Sequence, residues 1–91
     1  MTEIRKHFVF HGRVQGVGFR YTATYLARSL ELTGWVRNEY DGTVSAEVQG
    51  REEQIDLFIQ KLQTGKGHFI SIEHIDEKEI SLERESSFSI R

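Results

Sequence analysis

The sequence predicts an α+β protein with a ferredoxin-like, two-layer architecture, in which two helices cover one face of a mostly antiparallel sheet. Two observations lead to this prediction. Stretches with alternating apolar residues, typical of half-buried strands, are interleaved with two stretches whose apolar residues recur at helical spacing. Their order along the chain is β-α-β-β-α-β with a possible short last strand, which is the order of the split β-α-β arrangement.

The first strand is predicted over residues 4–12, because its apolar residues alternate with polar ones. One face would carry the apolar residues Ile4, Phe8 and Phe10, with Lys6 as a polar exception. The opposite face would carry Arg5, His7, Val9 and His11.

A helix is predicted next, over residues 19–30, with an apolar stripe formed by Phe19, Ala23, Leu26 and Leu30. Gly34 follows it as a helix-stop signal. Residues 33–38, a short segment with Trp35 and Val36, are predicted as the second strand. Residues 43–48 alternate as its hairpin partner, after a turn that contains an Asp-Gly pair. Gly50 is expected to end the second of these strands.

The second half of the chain is predicted to contain a helix and one or two strands. Residues 52–63 form the helix, whose apolar stripe is Ile55, Phe58, Ile59 and Leu62. A break at residues 64–68 precedes a fourth strand over residues 69–82. Residues 88–90 alternate again and suggest a short last strand.

Composition narrows the classes of function. The net charge of −2 and the pI of about 6.1 do not indicate broad electrostatic binding to nucleic acid. The lack of cysteine excludes disulfides, thiol catalysis and cysteine metal sites. No apolar run reaches membrane-spanning length, and there is no linker. We expect one domain over residues 1–91, a monomer in the cytoplasm, with neither nucleic acid nor membrane as a partner.

Residues 12–20, Gly-Arg-Val-Gln-Gly-Val-Gly-Phe-Arg, are the strongest candidate for a site. Glycines between a strand and a helix start let successive N–H groups form an anion-binding nest, and Arg20 adds a planar cationic fork. The Walker A lysine and the third glycine of a dinucleotide fingerprint are both missing. Residues 13–19 contain no Ser, Thr, Cys, Asp or His, so the loop offers no nucleophile for a phospho-enzyme.

Each of these residues also has a plainer interpretation. The glycine loop is equally typical of a tight turn without a ligand, and Arg20 of an exposed helix arginine. Asn38, at the end of the second strand, is either a turn residue or an amide that orients a water. In the predicted fold the third strand separates the first two by about 10 Å, which leaves room for a phosphate and a water between the loop and Asn38.

The histidines His7, His11, His68 and His74 show no metal-ligand spacing. His7 and His11 share a strand face but would lie about 13 Å apart, too far for one ion. We therefore interpret the four histidines as surface or structural residues and expect no metal.

A second long motif lies at residues 34–44, which read Gly-Trp-Val-Arg-Asn-Glu-Tyr-Asp-Gly-Thr-Val. With residues 12–20 it makes the chain resemble the acylphosphatase family. Residues 12–20 fit that family's G-x-V-Q-G-V-x-F-R signature at every fixed position, and residues 34–44 fit its G-W-V-x-N-x-x-D-G-x-V signature. Residues 88–91 also resemble the family's C-terminal end. One departure is the lack of the Gly-Pro pair that the family usually carries after the second helix, where residues 65–68 read Gly-Lys-Gly-His.

This resemblance implies hydrolysis of an acyl phosphate to a carboxylate and inorganic phosphate, with no metal and no cofactor. It implies that Arg20 and Asn38 are catalytic, Arg20 holding the phosphate and Asn38 positioning the attacking water. It also implies a phosphate cradle made by the backbone N–H groups of Gln15, Gly16, Val17, Gly18, Phe19 and Arg20.

Two rival functions stay open at this point. A module that binds a phosphorylated ligand without turnover would need the loop and Arg20 but not Asn38. An RNA-binding domain of the same broad fold would need stacking aromatic and basic residues on its central strands. Residues 43–48 contain no aromatic residue and one acid, and Phe8 and Phe10 are better assigned to the core.

Overall fold

The structure is a computed structural model that describes residues 2–64 and 69–91. In chain order its elements are β1 (Glu3–Arg13), α1 (Phe19–Ser29), β2 (Thr33–Asn38), β3 (Val44–Arg51), α2 (Glu52–Thr64), β4 (Ser71–Ile80) and β5 (Phe88–Ile90). The predicted order and the short last strand are confirmed. The break predicted at 64–68 and the missing Gly-Pro pair fall almost wholly on residues 65–68, which lie outside the described residues.

The strands form one sheet in the order β4-β1-β3-β2-β5. β3 pairs antiparallel with both β1 and β2, β4 pairs antiparallel with β1, and β5 pairs parallel with β2. The sheet is therefore mostly antiparallel, as predicted. β3 separates β1 from β2, which is the arrangement that the candidate site requires.

The helices are held on the sheet by their apolar stripes, since helices of 11 and 13 residues are marginal in isolation. Phe8 and Phe10 of β1 are 1% and 0% exposed and point toward the helices, as the alternation predicts. The core cluster is completed from the other elements and the segments between them by Val14, Phe19, Ala23, Ala27, Leu32, Val36, Val44, Ala46, Val48, Ile55, Phe58, Leu62 and Phe88. Leu26, Leu30 and Ile59 pack against it while partly buried.

Two glycines have different roles from those expected. The chain leaves α1 at Glu31, whose φ is 60°, and the N–H of Leu32 donates to the carbonyl of Ala27 at 2.8 Å, as in a Schellman motif. Gly34 is instead a residue of β2, where a Cβ would lie 1.9 Å from the carbonyl oxygen of Glu47. Gly50 does not end β3, which continues to Arg51.

The fourth strand is shorter than predicted at both ends, since it begins at Ser71 and ends at Ile80. Residues 81–87, here called the crossing segment, connect β4 on one edge of the sheet to β5 on the other edge. Glu83 and Glu85 of this segment contact the side chains of Arg5 and Gln49. The crossing segment therefore covers part of the sheet face that lies opposite the helices.

The main consequence of the crossing segment is the burial of Arg5. Its side chain is 0% exposed, although the sequence pattern assigned it to a polar strand face. It bonds Glu47 at 3.0 Å, Gln49 at 3.2 Å and Glu85 at 3.1 Å. A buried cation is tolerated here because carboxylate and amide oxygens surround it.

Within the described residues, neither helix has the length and apolar character needed to span a membrane.

Candidate active site

The glycine-rich loop connects β1 to α1, as predicted. Gly16 and Gly18 have φ angles of 72° and 81°, and Gly18 is the N-cap of α1. A Cβ at either position would meet no atom within 4 Å. Glycine is therefore favoured at both for its left-handed backbone rather than for space, and such a backbone turns successive N–H groups toward one point.

The loop presents unpaired donors. Among the described residues, none of the backbone N–H groups of residues 15–20 has an acceptor in the protein, and the first backbone bond of α1 runs from the N–H of Thr22 to the carbonyl of Gly18. Phe19 is buried, so only its N–H can contribute. Free N–H groups and the positive end of the helix dipole together favour an anion.

Arg20 lies in the first turn of α1, directly after the loop. Its carbonyl accepts a hydrogen bond from Thr24 Oγ1 at 2.7 Å, but within the described part of the chain its guanidinium has no hydrogen bond or ion pair. An unpaired guanidinium on a residue that directly follows a loop of unpaired N–H groups is suited to a phosphate, which accepts from both kinds of donor.

Asn38 is the last residue of β2, on the helix side of the sheet. Val44 of β3 pairs with Phe10 of β1 on one side and with Asn38 on the other. Asn38 is therefore level with the end of the β1–β3 pairing, about 10 Å away across β3. Within the described residues, its Oδ1 is buried without a hydrogen-bond partner. A buried acceptor in this state is unfavourable unless a water or ligand donates to it.

The side chain of Gln15 connects the loop to the turn that follows Asn38. Its Nε2 donates to the carbonyl of Glu39 at 2.6 Å and to the carbonyl of Thr43 at 2.8 Å. The sequence predicted only a backbone role for Gln15, so this contact was missed. Carbonyl acceptors occur at every residue, and for that reason the sequence carried no signal for it.

Side-chain hydrogen bonds fix the β2–β3 turn. Asp41 Oδ1 accepts from the N–H and the hydroxyl of Thr43 at 3.0 and 2.7 Å, and these bonds hold the pKa of the Asp41 carboxyl below its usual value. The Glu39 carboxylate accepts from the hydroxyl of Ser45 and from Arg37, which lowers the pKa of Glu39 in the same way.

Three of the four histidines make structural contacts away from the loop, as expected of surface residues. His7 bonds Glu47 at 3.1 Å, while His11 and His74 each bond Asp76 at 2.8 Å. The hydrogen bond from His11, and after it the one from His74, holds the pKa of the Asp76 carboxyl below its usual value. His68 lies outside the described residues. In the residues that the structure describes, no group of three or more His, Asp or Glu is arranged to hold a metal ion.

Comparisons with known proteins agree with these features. The acylphosphatase family model matches residues 6–90. An acylphosphatase of Clostridium perfringens is 48% identical over 87 residues, covering 94% of this chain and 97% of that protein. The crystal structure of the Bacillus subtilis acylphosphatase has a TM-score of 0.91 at 36% identity, covering 97% of this chain and 98% of that one. An acylphosphatase structure from Coxiella burnetii has a TM-score of 0.90 at 32% identity, covering 98% and 93%. Since these matches extend along nearly the whole chain, the protein belongs to the acylphosphatase family and hydrolyses acyl phosphates to a carboxylate and inorganic phosphate.

Proposed function

We propose that the N–H groups of residues 15–20 and the guanidinium of Arg20 hold the phosphate of the substrate, while Asn38 orients the attacking water. The reaction then needs neither a metal nor a protein nucleophile. Phosphoryl transfer depends mainly on positioning and on stabilising negative charge, which are the two things that this set of donors can supply.

The observation that carries the proposal is the buried Oδ1 of Asn38, which has no hydrogen-bond partner in the part of the chain that the structure describes. This buried acceptor lies one strand away from the end of the β1–β3 pairing, and Gln15 joins the loop to the turn beside it. A water that donates a hydrogen bond to Oδ1 would give this buried acceptor a partner. The lone pairs of that water would then point away from Asn38. In the proposed arrangement, the loop holds the phosphorus atom that such a water would attack.

The leaving group explains why no general acid is needed. An acyl phosphate expels a carboxylate, which is stable without a proton at neutral pH. An alkyl phosphate expels an alkoxide, which requires a proton donor in the transition state. We therefore expect a large preference for acyl phosphates over simple alkyl phosphates.

Asn38→Ala tests the mechanism in an assay with a synthetic acyl phosphate. If Asn38 orients only the water, kcat should fall by about 10²-fold or more, the scale for losing one well-placed polar group, while inhibition by inorganic phosphate stays nearly unchanged. Tyr40→Ala is the matched control, because Tyr40 is in the same turn and fully exposed. Thermal unfolding verifies that both variants are folded.

Three results of this assay would contradict the proposal. A near-normal kcat in Asn38→Ala would remove Asn38 from the mechanism, and a parallel loss of phosphate inhibition would make it a phosphate ligand. Loss of wild-type activity after dialysis against a chelator, restored by a divalent metal, would contradict metal-independent hydrolysis.

Neither rival function agrees with these findings. A module that binds phosphate without turnover is inconsistent with membership of a family that hydrolyses acyl phosphates. The RNA-binding alternative has little support, because Trp35 is 7% exposed and is covered by the guanidinium groups of Arg37 and Arg91, 5.0 and 5.4 Å from the ring centroid. Its ring is therefore unavailable for stacking on a base.

We also propose that residues 1–91 form a single domain that works as a cytoplasmic monomer. One core cluster serves all the layers, and the radius of gyration of 12.0 Å is that expected for one domain of this length. Acyl phosphates are charged and labile in water, so the enzyme must share the compartment in which they form. Light scattering of the pure protein and cell fractionation would test these two expectations.

A further inference from the structure

The Gln15 amide has an unusual set of partners for a side chain in a phosphate-binding loop. Both of its hydrogen bonds go to main-chain carbonyls of the β2–β3 turn, 24 and 28 positions later in the chain. Because both partners are acceptors, only the NH₂ group of the amide can face them, and the side-chain oxygen must point away. The amide therefore acts as a double donor that ties the loop to the turn.

The two carbonyls flank the turn that begins directly after Asn38. The N–H of Glu39 donates to the carbonyl of Thr43 at 2.9 Å, which closes this turn, and the contacts of Asp41 with Thr43 stabilise it further. Because these bonds hold the turn in one conformation, a shift of the turn at its contact with Gln15 would also shift Asn38. The amide of Gln15 thereby links the loop to the backbone that carries Asn38.

We propose that the side chain of Gln15 is a positioning residue, which sets the distance between the phosphate held in the loop and the water held by Asn38. This inference rests on the mechanism proposed above. It assigns to Gln15 a second role, since its own N–H belongs to the cradle while its side chain fixes where the cradle lies relative to Asn38. Reacting atoms must approach within about 3–3.5 Å, so a small shift in this spacing has a large effect on rate.

The fold should survive loss of these hydrogen bonds. The carbonyl of Glu39 also accepts from the N–H of Gly42 at 3.2 Å, and the carbonyl of Thr43 also accepts from the N–H of Glu39. Neither carbonyl is left without a partner when the amide is removed. Gln15→Met keeps a side chain of similar length and leaves the N–H of residue 15 in the cradle.

The experiment measures kcat and the inhibition constant of inorganic phosphate for Gln15→Met. We expect kcat to fall by about 10- to 100-fold, the scale for a misplacement near 1 Å, with phosphate inhibition within about twofold of wild type. Gln49→Met is the matched control. The Gln49 amide also joins two distant segments, by donating to the carbonyl of Glu83 and accepting from the N–H of Glu83, but it lies beside the crossing segment. Gln49→Met should lower the melting temperature without lowering kcat.

A double-mutant cycle with Asn38→Ala distinguishes positioning from general damage. If Gln15 acts by placing the loop relative to Asn38, Gln15→Met should cost little further kcat in the Asn38→Ala background. If Gln15→Met does not fold, Gln15→Glu tests the same contact, because an ionised carboxylate cannot donate. The kcat of Gln15→Glu should then recover relative to wild type as the pH falls and the carboxyl regains a donor.

Several results would overturn the inference. A kcat within twofold of wild type in Gln15→Met, a parallel loss of phosphate inhibition, or full additivity with Asn38→Ala would each do so. A normal kcat in Asn38→Ala would contradict the proposed mechanism itself. A normal kcat in Gln15→Met together with a low kcat in Asn38→Ala would contradict only the positioning role.

Discussion

In the proposed mechanism, the guanidinium of Arg20 contacts the phosphate in both the ground state and the transition state, together with the N–H groups of the loop. Charge-assisted hydrogen bonds of this kind contribute about 1.5–3 kcal/mol each. Phosphate affinity and turnover should therefore depend on Arg20 together, whereas Asn38 is expected to affect turnover alone. This difference allows the two roles to be separated experimentally.

Arg20→Gln should weaken inhibition by inorganic phosphate and lower kcat/KM, each by about tenfold or more, because one such contact corresponds to at least a factor of ten. Arg20→Lys should recover only part of the loss, since a point charge cannot reproduce the planar fork. Arg13→Gln is the control. It removes the same charge from an exposed residue at the other end of the loop. Equal losses in Arg13→Gln and Arg20→Gln would indicate a general electrostatic effect instead of a contact.

At the scale of elements, the close approach of β2 to β3 at Gly34 fixes the path of the strand that carries Asn38. Gly34 pairs with Val48 and has a φ of 133°, and a Cβ there would overlap the backbone of Glu47. Neither strand can move away without breaking the ladder on both sides. Strand β2 therefore depends on Gly34 for its register as well as for its conformation.

Gly34→Ala should lower the free energy of unfolding by more than about 3 kcal/mol, in the range of mutations that disrupt a core. Gly50→Ala is the matched comparison on β3. Its Cβ would lie 2.5 Å from the end of the flexible Leu32 side chain, which can adjust, so the cost should be about 1–3 kcal/mol. Denaturant unfolding of both variants measures the difference. An equal loss of stability in the two variants would show that the backbone at Gly34 accommodates a Cβ as easily as the Leu32 side chain does at Gly50.

At the start of the crossing segment, the sequence pattern predicts the end of a strand incorrectly. The alternation of apolar residues continues past Ile80, the last residue of β4, to Leu82, and it therefore predicts a strand that extends to residue 82. The chain instead leaves the sheet edge after Ile80, because it must reach β5 on the opposite edge. A local pattern cannot report this requirement, which arises from the order of the strands.

For the whole molecule, the order of the elements and the position of the glycine-rich loop between β1 and α1 could be predicted because both depend on local patterns. Phe8 and Phe10 alternate as core residues do, and the glycines of the loop lie at the strand-to-helix junction. The burial of Arg5 could not be predicted, since Glu85 lies 80 positions later in the chain. The shared contact of His11 and His74 with Asp76 likewise depends on the register of β1 with β4. Long-range contacts of this kind require the assembled fold.

The ion pairs around Arg5 give the whole molecule a defined response to acid. Burial alone would raise the pKa of Glu47, but hydrogen bonds from Arg5 and His7 outweigh it and hold that pKa below its usual value. A carboxyl whose pKa is lowered in the folded state contributes stability above its unfolded pKa, near 4.3, and loses it as the pH falls through the folded value. The carboxyls of Glu39, Asp41 and Asp76 have lowered pKa values and act in the same direction.

Glu47→Gln tests this response through melting temperatures measured between pH 7 and pH 3. At pH 7 the variant should melt below wild type, because His7 and the buried Arg5 both lose the charge of Glu47, which leaves Arg5 with Glu85 as its close ion-pair partner. The difference should shrink as the pH falls below about 4, since protonation then removes the same charge from wild type. Glu79→Gln is the control, because Glu79 is exposed on β4 and has no ion pair among the described residues. Its melting temperature should follow that of wild type at every pH. A difference between Glu47→Gln and wild type that stays constant with pH would mean that Glu47 stabilises the fold by packing and not by its charge.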